Sequence, residues 1–148
     1  MANNVGDEGA TALASALRIN EVLTSISLSR NKIGSEGAAA IAEALRGNRV
    51  LTDLSLCHNQ IRDEGAAAIA EALRGNAVLK TLCGRNFIRD EGAVAIADAL
   101  RVNEVLTNLV LWRNNIGAEG AKALASALRV NGVLKNIDLS YNLQQLGR

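Results

Sequence analysis

The 148-residue sequence predicts an α/β solenoid, about five copies of a 28-residue strand-plus-helix unit stacked side by side. Three observations carry this reading. One period runs through the chain. Each period splits into a half with alternating apolar residues and a half with helical spacing. Proline is absent and Phe87, Trp112 and Tyr141 are the only aromatics, so the core must be built from Leu, Ile, Val and Ala.

The period shows in direct comparison. Val22–Arg49 reads VLTSISLSRNKIGSEGAAAIAEALRGNR and Val50–Ala77 reads VLTDLSLCHNQIRDEGAAAIAEALRGNA, identical at 20 of 28 positions. The unit recurs from Val78, Val105 and Val133, and the N-terminus joins mid-unit, with Asn3 in the place of Asn31. The first half reads L-x-x-L-x-L-x-x-N, as in Leu23, Ile26, Leu28 and Asn31. The second half, Glu36–Arg46, is rich in helix formers, with Ala38, Ile41, Ala42 and Leu45 on one face. The expected helices lie near 7–18, 35–46, 63–74, 90–101 and 118–129. The expected strands lie near 25–28, 53–56, 80–83, 108–111 and 136–139, all within a single domain, 1–148. Asp7, Ser35, Asp63 and Asp90 are placed as N-caps of the helices they introduce. Asn20, Asn48, Asn76, Asn103 and Asn131 are placed as left-handed C-terminal residues. Glu43 with Arg46 and Glu71 with Arg74 are i,i+3 pairs on a solvated helical face.

These motifs resemble the ribonuclease-inhibitor subclass of leucine-rich repeats over nearly the whole chain. The wording N-x-I-x-x-E-G-A before A-I-A-E-A-L looks most like the C-terminal repeats of nucleotide-binding innate-immune receptors. The resemblance implies parallel strands on a concave face, helices on a convex face, and an asparagine ladder at Asn31, Asn59, Asn86, Asn114 and Asn142. An independent estimate of curvature follows from strands about 4.8 Å apart and helices about 8–10 Å apart. The mismatch bends the stack by roughly 20–30° per repeat, and small helix residues favour the lower figure, giving an open arc.

One unit departs from the period. From Leu82 to Asn86 there are four steps, where Leu54 to Asn59 has five. A missing residue flips the facing of everything beyond it, and Gly84 is suited to absorb the change. Cys83 is expected in the buried slot, because an empty core layer leaves a cavity.

The functional expectation comes from variation between repeats. The helices are near copies, whereas the strand positions facing away from the core differ: Ser27, Ser55, Cys83, Val110 and Asp138 in one row if the repeats are aligned from their leading leucine, and Arg30, His58, Arg85, Arg113 and Tyr141 in another. A scaffold that copies its core and diversifies one face behaves as a binding surface. The expected partner-binding residues are Arg30, Asp53, His58, Arg85, Trp112, Arg113, Asp138 and Tyr141. Trp112 and Tyr141, flanked by Arg85 and Arg113, form the anchor, since Trp, Tyr and Arg dominate interface hot spots. The basic row favours a protein partner with an acidic surface. Nucleic acid is disfavoured, because aromatics for base stacking are few and Asp53 and Asp138 interrupt the face.

Catalytic, metal and cofactor chemistry is not expected. There is no P-loop, dinucleotide fingerprint or H-E-x-x-H. His58 is the only histidine, and Cys57, His58 and Cys83 offer three zinc ligands at best. With two cysteines and no signal peptide at Met1–Val5, the expectation is a cytoplasmic protein with free thiols. No apolar run reaches membrane-spanning length. Two alternatives stand beside partner binding: a structural or engineered module self-associating through uncapped terminal repeats, and a regulator of a small GTPase. The ends also suit a fragment of a longer receptor-like protein.

Overall fold

The structure is a computed structural model that describes residues 3–83 and 85–142. Along the chain run α1 (Gly6–Ile19), β1 (Ser25–Ser27), α2 (Ser35–Gly47), β2 (Asp53–Ser55), α3 (Arg62–Leu73), β3 (Thr81–Cys83), α4 (Asp90–Leu100), β4 (Asn108–Val110), α5 (Ala118–Leu128) and β5 (Asn136–Asp138). The strands form one parallel sheet in chain order, and each helix packs against the next. This arrangement follows from the connections, since parallel neighbours need a crossover and each helix supplies one.

The core lies between the sheet and the helices. In the second repeat, Leu51, Leu54, Leu56 and Ile61 from the strand half meet Ile69 and Leu73 from the helix, all buried. Ala38, Ala66 and Ala93 at the helix contacts allow close approach. At Gly92 an added Cβ would lie 2.6 Å from Asp63 Oδ1 and 2.7 Å from Ile88 Cγ2. Gly37 and Gly120 have the same kind of surroundings. The glycine of E-G-A is therefore a packing requirement, since interiors at crystal density leave no room for a methyl group.

The acidic residues at the helix starts act one repeat further on than expected. Asp7 Oδ1 accepts from Gly34 N (2.6 Å) and Gly37 N (3.0 Å), at the start of α2. Asp63 does the same for Arg89 N (2.7 Å) and Gly92 N (3.0 Å) of α4, and Asp90 for Gly117 N (2.7 Å) and Gly120 N (3.0 Å) of α5. None caps its own helix. The reason is geometric: a residue already inside the first turn points sideways, toward the next helix's open N–H groups. Ser35 differs. Its hydroxyl donates to Ile61 O at 2.6 Å, and among the described residues no carboxylate caps α3. There the residues around the helix start change conformation: Ile61 is helical and Arg62 is left-handed (φ 61°), whereas the equivalent Gly34, Arg89 and Gly117 are extended.

The asparagines after the helices are a second correction. Asn20 and Asn48 are extended (ψ 127°), not left-handed. Asn48 instead works as a bridge: Oδ1 accepts from Val50 N and Leu51 N, and Nδ2 donates to Leu17 O of the preceding helix at 2.8 Å. Asn76, Asn103 and Asn131 repeat this pattern onto Leu45 O, Leu73 O and Leu100 O. A separate ladder runs along the strand ends. Asn59 Oδ1 accepts from Asn31 N and Ile33 N, while its Nδ2 donates to Leu28 O and Leu56 O. Asn114 and Asn142 make matching bonds further along. Two ladders thus satisfy backbone groups that the turns would otherwise bury unpaired. At the start of the strand ladder, Asn31 Oδ1 is buried without a partner among the described residues.

The expected burial of the Cys83 side chain lies outside the described residues. The backbone of β3 stays in step with both neighbours, Cys83 in register with Ser55 and Val110 and Leu82 with Leu54 and Leu109. Cys57 is disulfide-bonded, which corrects the expectation of free thiols and removes the thiol argument for a reducing compartment. Of the two expected helix-surface pairs, Glu43–Arg46 forms at 3.3 Å. Arg74 turns toward Asp98 O instead.

Candidate functional site

The site is built on the residue that ends each strand segment. Strand alternation would point Arg30, His58, Arg113 and Tyr141 inward, behind Leu28, Leu56, Leu111 and Leu139. All four have positive φ, between 54° and 62°. That conformation costs a non-glycine residue roughly 1–2 kcal/mol, and it recurs at the same place after β1, β2, β4 and β5. It breaks the alternation, so this side chain stays outside while the following asparagine turns into its ladder.

Four of the side chains meet. The guanidinium of Arg113 lies 5.4 Å from the Trp112 ring and 5.4 Å from the Tyr141 ring, a cation held against two aromatic faces. Trp112 extends the other way and meets His58 edge to face, with 6.0 Å between centroids. His58 and Trp112 belong to β2 and β4 segments, so Trp112 reaches across the intervening repeat, the one shortened by a residue. Arg85 Nη1 lies 3.1 Å from His58 Nδ1. A ring nitrogen accepts that bond only when the imidazole is neutral. Burial, and then the positive charges of Arg30, Arg85 and Arg113, hold the His58 pKa below 6.5. Among the described residues no carboxylate forms an ion pair with Arg30, Arg85 or Arg113.

The two expected acidic members lie apart from this cluster. Asp53 sits at the opposite end of its strand, in register with Ser25 and Thr81, and accepts from Thr52 Oγ1 at 2.9 Å. Asp138 faces outward beside Val110, but its carboxylate is turned to Ser140, accepting from its backbone N at 2.9 Å and from its hydroxyl. The Ser140 hydroxyl, then its N–H, lower the Asp138 pKa.

Sequence reasoning missed Phe87, Arg62 and Asn115. Phe87 is left-handed (φ 60°) and 51% exposed, with the Arg62 guanidinium 5.5 Å from its ring centre. Asn115 lines hollows on the same loops. Phe87 was one of only three aromatics, the signal that could have marked it, but it lies outside the strand rows.

No group of three or more His, Cys, Asp or Glu side chains suited to a metal occurs among the described residues. Nor is any helix among them long and apolar enough to cross a membrane.

Comparison with known proteins agrees with this architecture. No curated protein sequence matches the chain. Among solved structures, the tropomodulin C-terminal domain of Caenorhabditis elegans is similar with a TM-score of 0.79 and 17% identity, covering 89% of this chain and 83% of that one. Leiomodin-1 Actin-Binding Site 2 is similar with a TM-score of 0.78 and 25% identity, covering 93% and 80%. The Leucine Rich repeat family matches residues 1–14, 20–42, 47–70 and 102–125, together more than half of the chain. The chain belongs to the leucine-rich repeat family, a non-enzymatic fold.

Proposed function

We propose that this chain is a single solenoid domain of about five repeats, of the ribonuclease-inhibitor type, that binds a protein partner on the concave outer face of its strands. The observation that carries the reading is the stack of His58, Trp112, Arg113 and Tyr141, bordered by Arg30 and Arg85. These are hot-spot residue types held against one another before binding, with guanidinium donors lacking an acidic partner among the described residues. A partner presenting carboxylates to this face completes the charge balance. Asp53 and Asp138 then mark the edges of the surface and not its centre.

Actin is the first partner to test, because Leiomodin-1 Actin-Binding Site 2 shares this architecture at 25% identity. Isothermal titration of the chain with monomeric actin, in parallel with Trp112→Ala and Arg113→Ala, tests both levels. Binding abolished by either variant supports the face and the partner. Binding that neither variant alters places the contact elsewhere. Light scattering on the same samples tests self-association, and a defined dimer lost in Trp112→Ala would make a second copy the partner of this face.

A further inference from the structure

The geometry points to a peptide-binding furrow that runs from the sheet face over the strand-to-helix loops and receives an extended segment of the protein partner, acidic at the sheet end and basic at the helix end. This rests on the reading of the chain as a protein-binding module, and it adds a surface that the strand rows do not contain.

Three hollows lie in a row. The first, of about 350 Å³, is lined by Arg85, Phe87, Arg113, Asn115 and Tyr141, with Asn114. The second, of about 250 Å³, lies among Arg62, Glu64, Phe87 and Asn115. The third, of about 560 Å³, lies among Arg89, Glu91 and Asn115. Asn115 lines all three, so they form one furrow.

The furrow has a polarity. At one end two guanidiniums, Arg85 and Arg113, converge without a carboxylate partner among the described residues. Arg113 is already held against two rings, and a guanidinium stacked on rings bonds a carboxylate through its in-plane N–H groups. At the other end the carboxylates of Asp63, Glu64, Asp90 and Glu91 outnumber the guanidiniums of Arg62 and Arg89, and Glu64 and Glu91 are exposed with no ion pair among the described residues. Between them stands Phe87, an exposed aromatic in a left-handed conformation with the Arg62 guanidinium over its ring. The main chain is interrupted at the same place. Gln60 N donates to Ile33 O (2.8 Å) and Asn115 N to Ile88 O (2.7 Å) across neighbouring loops, but the Phe87 N–H makes no such bond among the described residues. A peptide carbonyl lying along the furrow would accept from it. Nucleic acid does not fit this polarity, because its phosphates would meet Glu64 and Glu91.

The test is a nuclear magnetic resonance titration of the full chain with three peptides: acetyl-Glu-Leu-Gly-Lys-amide, the reversed acetyl-Lys-Leu-Gly-Glu-amide, and the neutral acetyl-Gln-Leu-Gly-Gln-amide. The expected result is saturable shifts at the Phe87 and Asn115 amides with the first peptide, and at least about tenfold weaker binding of the other two. Arg85→Gln and Phe87→Ser should each weaken the first peptide about tenfold. Phe87→Ser lies outside the strand rows and Arg85→Gln removes no packed residue, so a folding defect in one leaves the other informative. Equal responses to all three peptides, or responses unchanged in both variants, would overturn the furrow. The broader reading fails separately. If added actin, or any partner identified by titration, leaves the Ser27, Ser55 and Val110 amides unshifted while peptide binding persists, the sheet face is wrong and the furrow stands. Partner-induced shifts confined to those strand amides, with no peptide binding, overturn the furrow and keep the face.

Discussion

His58 and Trp112 meet edge to face at 6.0 Å although their strands are separated by a third. The contact couples two repeats over the one whose strand segment is a residue short. It also leaves one face of the indole to Arg113, so the anchor is set before any partner arrives. Pre-organisation of this kind lowers the entropy cost of binding.

The first prediction concerns that anchor. Trp112→Ala should leave the far-ultraviolet circular dichroism spectrum unchanged, because Trp112 lies outside the buried core. It should cost at least about 2 kcal/mol in partner binding, the usual threshold for a hot spot. Titration calorimetry against the partner checks it, and an unchanged affinity would sink the anchor.

A second prediction follows from the displaced capping pattern. Ser35→Asp should give α3 the carboxylate that Asp7, Asp63 and Asp90 give to α2, α4 and α5. It should raise stability by about 1 kcal/mol, the typical value of a cap, and relieve the left-handed Arg62. The converse, Asp63→Ala, should lose about 1–2 kcal/mol by stranding Arg89 N and Gly92 N. Urea denaturation of the two variants measures both signs.

Glycine positions give a paired test. Gly92→Ala should destabilise by about 1–3 kcal/mol, because the new methyl group overlaps Asp63 and Ile88. Gly75→Ala meets nothing within 4 Å and should be close to neutral. Equal melting temperatures for the two variants would contradict the packing account.

The strand ladder should be strongest where it is doubly used. Asn59→Ala removes the acceptor of Asn31 N and Ile33 N and the donor to Leu28 O and Leu56 O, all buried. The expected loss is about 3 kcal/mol or more, at about 1–3 kcal/mol for each group left unpaired. Asn31→Ser should cost less, because Asn31 Oδ1 has no bond to lose. Denaturant midpoints order the two.

The pH dependence has a definite sign. Burial and three arginines lower the folded pKa of His58 beneath 6.5. As pH falls through 6.5 the unfolded chain takes up a proton that the folded chain resists, so stability declines from there toward the lowered native value. His58→Gln should show a smaller drop in melting temperature between pH 7.5 and 5.5 than the parent. A drop of equal size in both would mean that His58 is not held neutral.

The sequence alone determined the repeat period, the strand and helix halves and the apolar inner faces, whereas the left-handed backbone that keeps Arg30, His58, Arg113 and Tyr141 outside is seen only in the structure. The former are legible because the core pattern is local, with period 2 in a strand and 3.6 in a helix, and each repeat restates it. Tertiary structure decided what depends on the neighbouring repeat. Asp63 looks like the cap of the helix it begins, yet it bonds the next helix, because direction across a stack is not written in spacing. Cys83 could be counted from either side, and only the parallel pairing fixed its backbone register with Ser55 and Val110. Likewise Trp112 and Tyr141 were legible as neighbours of Arg113, but the reach of Trp112 to His58 and the furrow beside Phe87 were not. Both arise where side chains from different repeats converge in space, a relation that no single period contains.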